Sequence, residues 1–183
     1  MAKVYSDAFV PLHIAVLTVS DSRTEANDTS GQLLVEKLLA AGHRLAEKRI
    51  LRDDLYRIRA QIAVWAASDD VQVVIVTGGT GFTGRDSTPQ AVAPLFDTTV
   101  EGFGELFRHI SHRDIGSSTV QSRALAGLSN GTLIFCVPGS TNACRTAWDE
   151  IIAEQLDATH RPCNFVAQLK RVQGAECGTR DTS

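Results

Sequence analysis

The chain carries little sulfur and few rings: four cysteines, one methionine and 6% aromatic residues among 183. Cys136, Cys144, Cys163 and Cys177 are separated by gaps of 8, 19 and 14 residues, which match no zinc-ligand spacing. There is no basic excess either. Eighteen Lys and Arg against 21 Asp and Glu leave a net charge of −3, which excludes an extended nucleic-acid footprint. The longest apolar runs, such as Val71–Val76, fall far short of the roughly 20 residues that span a bilayer. No apolar stretch follows Met1, so no secretory signal is expected. Unpaired thiols in such a chain predict a reducing, cytoplasmic setting. No internal repeat, low-complexity stretch or linker divides it.

What is present has globular proportions, with 43% hydrophobic and 21% charged residues. The length predicts a single domain over 1–170, with a frayed, patternless tail over 171–183. About 70% of the unfolded chain's surface is expected to be buried at this size, enough for a core without staples.

Leu12–Val19 is nearly continuously apolar, as expected for a strand covered on both faces. Thr29 and Gln32 have the spacing of a capping box, followed by an apolar stripe of Leu34, Val35, Leu38, Leu39 and Ala41, with Gly42 as a stop. Leu45–Leu51 predicts a weaker strand, and Asp53 or Asp54 caps a helix buried through Ile58, Ile62, Trp65 and Ala66. Val71–Thr77 is the strongest strand. Thr88 and Pro89 read as N-cap and first residue of a helix through Phe96, and a further helix is expected over 105–111. Asn130-Gly131 between two β-prone runs predicts a hairpin, hence one antiparallel strand. Cys144, Ala147, Trp148, Ile151, Ile152 and Leu156 mark the buried face of a last helix. Strands alternating with amphipathic helices define an α/β sandwich with a mostly parallel sheet.

In such a sheet, ligands bind beyond the carboxyl ends of the strands. Three loops occupy that place: Ser20-Asp21-Ser22-Arg23, Thr77–Asp86, and Pro138-Gly139-Ser140-Thr141-Asn142. Each precedes a helix, whose N-terminus favours phosphate or carboxylate. Thr77–Asp86 holds four glycines within seven positions, allowing close approach of an anion to the backbone. No Lys-Ser/Thr follows them, so this is not a Walker A loop. Gly79-x-Gly81-x-x-Gly84 satisfies a dinucleotide fingerprint on paper, but Pro89 places the helix start too late. A tight turn without ligand is the plain alternative.

Asp86 lies between this loop and a helix start, within reach of a Mg²⁺ bridging phosphate oxygens. Helix capping or a salt bridge to Arg85 are its structural alternatives. Asp53 and Asp54 close the second strand as further ligands or as caps. The five histidines form no metal pair on a predicted face, and Cys136 and Cys144 read as core. Arg123 is placed to meet a ligand phosphate or a surface carboxylate.

These loops, in this order, resemble the MoaB/MogA family of molybdenum cofactor biosynthesis proteins. The matching segments are Leu17–Asp21, Asp28–Gly31, Thr77–Gly81, Arg85-Asp86-x-Thr88-Pro89, Glu101–Glu105, Ser122–Ala124 and Pro138–Thr141, spread over nearly the whole chain. Val100–Glu105, the Pro-Gly-Ser-Thr loop and Cys144–Trp148 are most similar to the B-type members. The resemblance implies a three-layer α/β/α fold and a homo-oligomer, a trimer or a hexamer built from trimers. It implies molybdopterin as ligand, a pterin with a dithiolene and a terminal phosphate, and Mg²⁺- and ATP-dependent adenylylation of that phosphate. By matching motifs, Asp86 is the Mg²⁺-linked catalytic carboxylate and Asp53 the second. Thr77, Gly78, Gly79, Thr80 and Gly81 hold phosphate, with Arg123 beside it, while Ser20, Asp21, Pro138, Gly139 and Ser140 border the pterin. Other proteins of the pathway are implied partners. Leu51-Arg52 departs from the apolar-Pro pair that usually precedes Asp53 in the family, which puts its rigidity in question and leaves Asp54 as a substitute. A non-catalytic pterin-binding or carrier role is the alternative function.

Overall fold

Strand β1 (His13–Val19) is the sheet's second strand, and side chains from Ile14 onward are buried on both faces. The computed structural model describes residues 7–171. β1 pairs in parallel with β2 (Arg44–Leu51) on one side and β3 (Val73–Thr77) on the other. β3 pairs in parallel with β6 (Thr132–Val137), and the sheet ends in β5 (Leu125–Ser129) and the two-residue β4 (Thr98–Thr99), in the order β2-β1-β3-β6-β5-β4. β5 is antiparallel to both neighbours, so β5 alone runs against the other five strands. The single antiparallel strand is as expected. β4 itself, too short to show a period, gives no sequence signal. At the hairpin, Asn130 and Gly131 have φ of 48° and 71°, the two positive values a tight primed turn requires.

Helices α1 (Thr29–Ala40), α4 (Glu101–Ile115) and α5 (Thr141–Ala147) cover one face; α2 (Leu55–Ala67) and α3 (Thr88–Val92) cover the other. Alternation along the strands feeds the two cores: Ile14 and Val16 join Leu34, Phe107 and Trp148, whereas Ala15 and Leu17 join Ile58, Ile62 and Trp65. This is the three-layer α/β/α sandwich.

Several boundaries differ from the sequence reading. Asp28, not Thr29, caps α1, accepting from Gly31 N–H at 2.9 Å. Leu39, counted in the α1 stripe, is 52% exposed. Asp54 caps α2 through Arg57 N–H at 2.9 Å, which leaves Asp53 for other bonds. α4 begins four residues earlier than expected and ends four later; of the two glycines in its first turn, Gly104 answers to packing, since a Cβ there would meet the Ala124 carbonyl at 2.6 Å, whereas Gly102 has nothing within 4 Å. α5 continues through a π-helical stretch, Trp148–Ile152, and one α turn, Ala153–Gln155, and all six residues of its expected stripe are buried. Cys136 and Cys144 are buried as expected, and burial pushes the Cys144 thiol up to about 11. Lys170 N–H bonds to Gly131 O at 3.0 Å. The expected tail beyond Arg171, with Cys177, lies outside the described residues. Among the described residues no helix is long and apolar enough to cross a membrane.

Candidate functional site

The loops after β1, β3 and β6 converge on a cleft of about 430 Å³. Nine of the residues singled out from sequence line it: Ser20, Thr77, Gly78, Gly79, Thr80, Gly81, Asp86, Pro138 and Gly139. The glycines are there for steric reasons. Gly78 has φ of +99°, and a Cβ on it would lie 2.2 Å from the Val19 carbonyl; Gly79 has φ of +63°. A Cβ on Gly139 would lie 3.2 Å from the Gly78 Cα, so the second and third loops touch backbone to backbone. The Thr77 hydroxyl donates to Pro138 O at 3.1 Å, and the Thr88 hydroxyl donates to Gly78 O at 2.9 Å. Thr88 therefore anchors the glycine loop and does not cap α3. The N–H groups of Gly79 and Thr80 have no hydrogen-bond partner among the described residues.

Asp86 lies half-buried on the cleft, where its Oδ2 accepts from Thr83 N–H at 2.9 Å and Thr83 O–H at 2.6 Å. The Thr83 hydroxyl first, against a smaller cost of burial, then the Thr83 and Gly81 amides and the charge of Arg123, hold its carboxyl below the usual range. It forms no ion pair with Arg85. That arginine instead pairs with Asp21, Nη2 to Oδ1 at 2.8 Å and Nε to Oδ2 at 3.1 Å, outside the cleft lining.

Asp53, Asp21, Arg123 and Ser140 do not line the cleft. Asp53 Oδ1 accepts from the Ser87 amide at 3.0 Å and from its hydroxyl, and its Oδ2 lies against the glycine loop, where a Cβ on Gly79 would approach to 2.6 Å. Arg123 forms no salt bridge among the described residues, although its charge acts on Asp86. Its guanidinium donates to the carbonyls of Thr80 (3.2 Å), Gly81 and Asp86 (2.9 Å), and lies over the Phe82 ring at 5.0 Å. It clamps the glycine loop from behind. Ser140 caps α5 through Ala143 N–H at 3.1 Å.

The cleft also contains residues to which the sequence analysis gave no site role of their own. Arg23 is its only lining cation, and Asp28, Thr18 and Ser30 form the wall beside it. The Asp28 carboxylate, fully buried, accepts from the Thr18 hydroxyl at 2.9 Å and the Gly31 amide, with Lys48 Nζ at 3.0 Å and Glu25 completing the set at 2.6 Å from Nζ. Ser30 donates to Gly139 O at 2.8 Å, and the Thr29 and Thr141 hydroxyls meet at 3.0 Å, joining the starts of α1 and α5. Asp28 was visible in sequence only as part of the Asp28–Gly31 segment before the first helix. Ile115 at the end of α4, Ser118 and Gln121 on the 3₁₀ segment that follows, and Ser122 just after it close the opposite side. Among the described residues no group of three or more His, Cys, Asp or Glu is disposed to hold a metal ion.

Residues 15–158 match the model of the family described as "Probable molybdopterin binding domain". The chain is 58% identical to molybdenum cofactor biosynthesis protein B of Escherichia coli K12 over 166 residues, 91% of this chain and 98% of that one. It is 45% identical to the Bacillus cereus protein of that name over 142 residues, covering 77% and 84%. A crystal structure of a molybdenum cofactor biosynthesis protein B superposes with a TM-score of 0.77 at 43% identity, over 80% of this chain and 91% of that one. The tungsten cofactor synthesizing protein MoaB of Pyrococcus furiosus does so with a TM-score of 0.67 at 37% identity, over 77% and 90%. The chain belongs to the MoaB/MogA family of molybdenum cofactor biosynthesis proteins.

Proposed function

We propose that this protein binds molybdopterin in the cleft and transfers AMP from ATP to its terminal phosphate. An oxygen of that phosphate attacks the α-phosphorus of ATP, the α–β P–O bond breaks, and pyrophosphate leaves. One observation carries the reading: three strand-end loops meet in a single cleft, with glycine-loop amides free to donate and an ionised carboxylate, Asp86, among its lining. Amides and the Arg23 guanidinium suit phosphate oxygens, and their fixed positions suit a reaction driven by positioning and charge neutralisation.

Mg²⁺ is held by one or two carboxylates together with phosphate oxygens and water, so a larger acidic cluster is not required. Asp86, ionised and with its Oδ1 turned to no other side chain, fits that role; Asp53, with Oδ2 against the glycine loop, is the second candidate. When bound, the ion supplies neutralisation of phosphate charge. Asp86 is then kept ionised by Thr83, and Arg123 keeps the loop in shape. Exposed Phe82 (68%) and Val120 (76%) near the cleft support assembly into a trimer or hexamer, which light scattering would measure.

Carrier function without chemistry is the second reading, favoured by Arg85 and Arg123 both being engaged within the protein. Single-turnover incubation with Mg·ATP and molybdopterin separates the two. Formation of the adenylylated pterin and pyrophosphate supports the transferase; retention of intact molybdopterin with no pyrophosphate leaves the carrier.

A further inference from the structure

Beside the main cleft, and sharing Ile115, Ser122 and Pro138 with it, lies a smaller cavity of about 110 Å³. Its polar lining includes Asp114 and Asn142, and Phe107 and Ile115 give it apolar surface. Asp114 is the next-to-last residue of α4, where a carboxylate faces the negative end of the helix dipole. Asp114 is exposed, and among the described residues it accepts no hydrogen bond and forms no ion pair, so its carboxylate is free to meet a ligand in the cavity. The side chain of Asn142 is likewise without a protein partner there. Both side chains are exposed at the cavity, a carboxylate and an amide together on one lining.

We propose that Asp114 is the specificity-determining residue that reads the 2-amino-4-oxopyrimidine edge of a pterin. That edge presents two donors side by side, N3–H and the 2-amino group, beside one acceptor, O4. An ionised carboxylate accepts from both donors in a charge-assisted, bidentate pair. The Asn142 amide supplies a donor for O4. The small cavity takes the pyrimidinone ring between apolar walls, while the substituent bearing the phosphate extends into the main cleft toward Gly78–Gly81. Adenine lacks this donor–donor edge, so the pocket discriminates between the two heterocycles of the reaction. The inference rests on the proposed function and names the part of the same site that recognises the pterin.

The test compares 6-hydroxymethylpterin with the corresponding lumazine, in which a 2-oxo group replaces the 2-amino donor, by quenching of ligand fluorescence. The intact protein is expected to prefer the pterin by roughly 10- to 100-fold, the range for hydrogen bonds to a charged group. Asp114→Asn should abolish that preference while leaving the melting temperature and its rise with Mg·ATP unchanged. Asp114→Glu should restore part of the preference, which a merely structural role would not do. Absence of a preference in the intact protein, or its survival in Asp114→Asn, would overturn the assignment. Neither result depends on whether the single-turnover reaction yields product, so failure here is distinguishable from failure of the transferase reading.

Discussion

Lys48 reaches from β2 to place its ammonium 3.0 Å from the carboxylate of Asp28, the only buried acidic side chain among the described residues. A residue on an edge strand thereby fixes a wall of the cleft it does not itself line. Removing the cation would strand a buried charge. Lys48→Met is expected to lower the unfolding free energy by about 3 kcal/mol in urea denaturation at neutral pH, with Lys48→Arg recovering most of it. Burial opposes the Lys48 charge, but hydrogen bonds to Glu25 and Asp28 outweigh it and raise its pKa above the ordinary value of 10.5. The folded value exceeds the unfolded one, so this contribution is complete below about pH 10.5 and is lost as pH rises through the folded value. An alkaline stability scan should fall less steeply in Lys48→Met than in the parent.

Asp86→Asn is expected to slow the single-turnover rate by about 100-fold or more while changing molybdopterin affinity only a few-fold, as for loss of an electrostatic group that acts in the transition state. Rapid-quench kinetics and equilibrium titration give the two numbers. A variant that turns over normally would remove Asp86 from the chemistry. Since Thr83 holds its carboxyl below the usual range, Asp86 is ionised throughout neutral and mildly acidic pH and contributes no acid limb there.

His43 is buried, accepts the Leu12 amide on Nδ1 at 3.2 Å, and has its ring centroid 5.0 Å from that of Phe9. Burial, partly countered by Asp157, lowers its pKa from 6.5 to about 4. The folded value lies below the unfolded one, so stability is complete above about pH 6.5 and is lost as pH falls toward 4, by up to about 3 kcal/mol. Parallel urea titrations of His43→Gln should lack that slope. An equal slope in both proteins would assign it to carboxylates.

Gly78→Ala combines a positive φ with a methyl 2.2 Å from the Val19 carbonyl. A loss of about 3 kcal/mol or more is expected on heating or in urea, together with loss of ligand-induced stabilisation. Gly84→Ala, with no atom within 4 Å of the added carbon, serves as the control and should change little.

The strands and the buried faces of α2 and α5 were legible because their periodicity is dense: Ile58, Ile62, Trp65 and Ala66 are all buried, as are Cys144, Ala147 and Trp148. The glycine loop was legible because four glycines within seven positions follow directly on the strongest strand. What stayed hidden depends on contacts distant in sequence. Nothing local distinguishes Asp54 as the cap from Asp53 as the partner of Ser87, 34 residues away. Lys48 looks like one more charge on a weak strand until the loop carrying Asp28 is folded over it. The bonds of Arg123 to backbone carbonyls 37 to 43 positions away have no sequence signature either. The first turn of α4 was not foreseen, because the approach of Gly104 to Ala124 is tertiary.

The meeting of Gly139 with Gly78 restricts how this molecule can breathe. Two turns with no side chain between them slide past one another only by separating the strands that carry them, and those strands form the centre of the sheet. The floor of the cleft is therefore laid by the two central strands themselves, and a side chain added at either turn would have to part them.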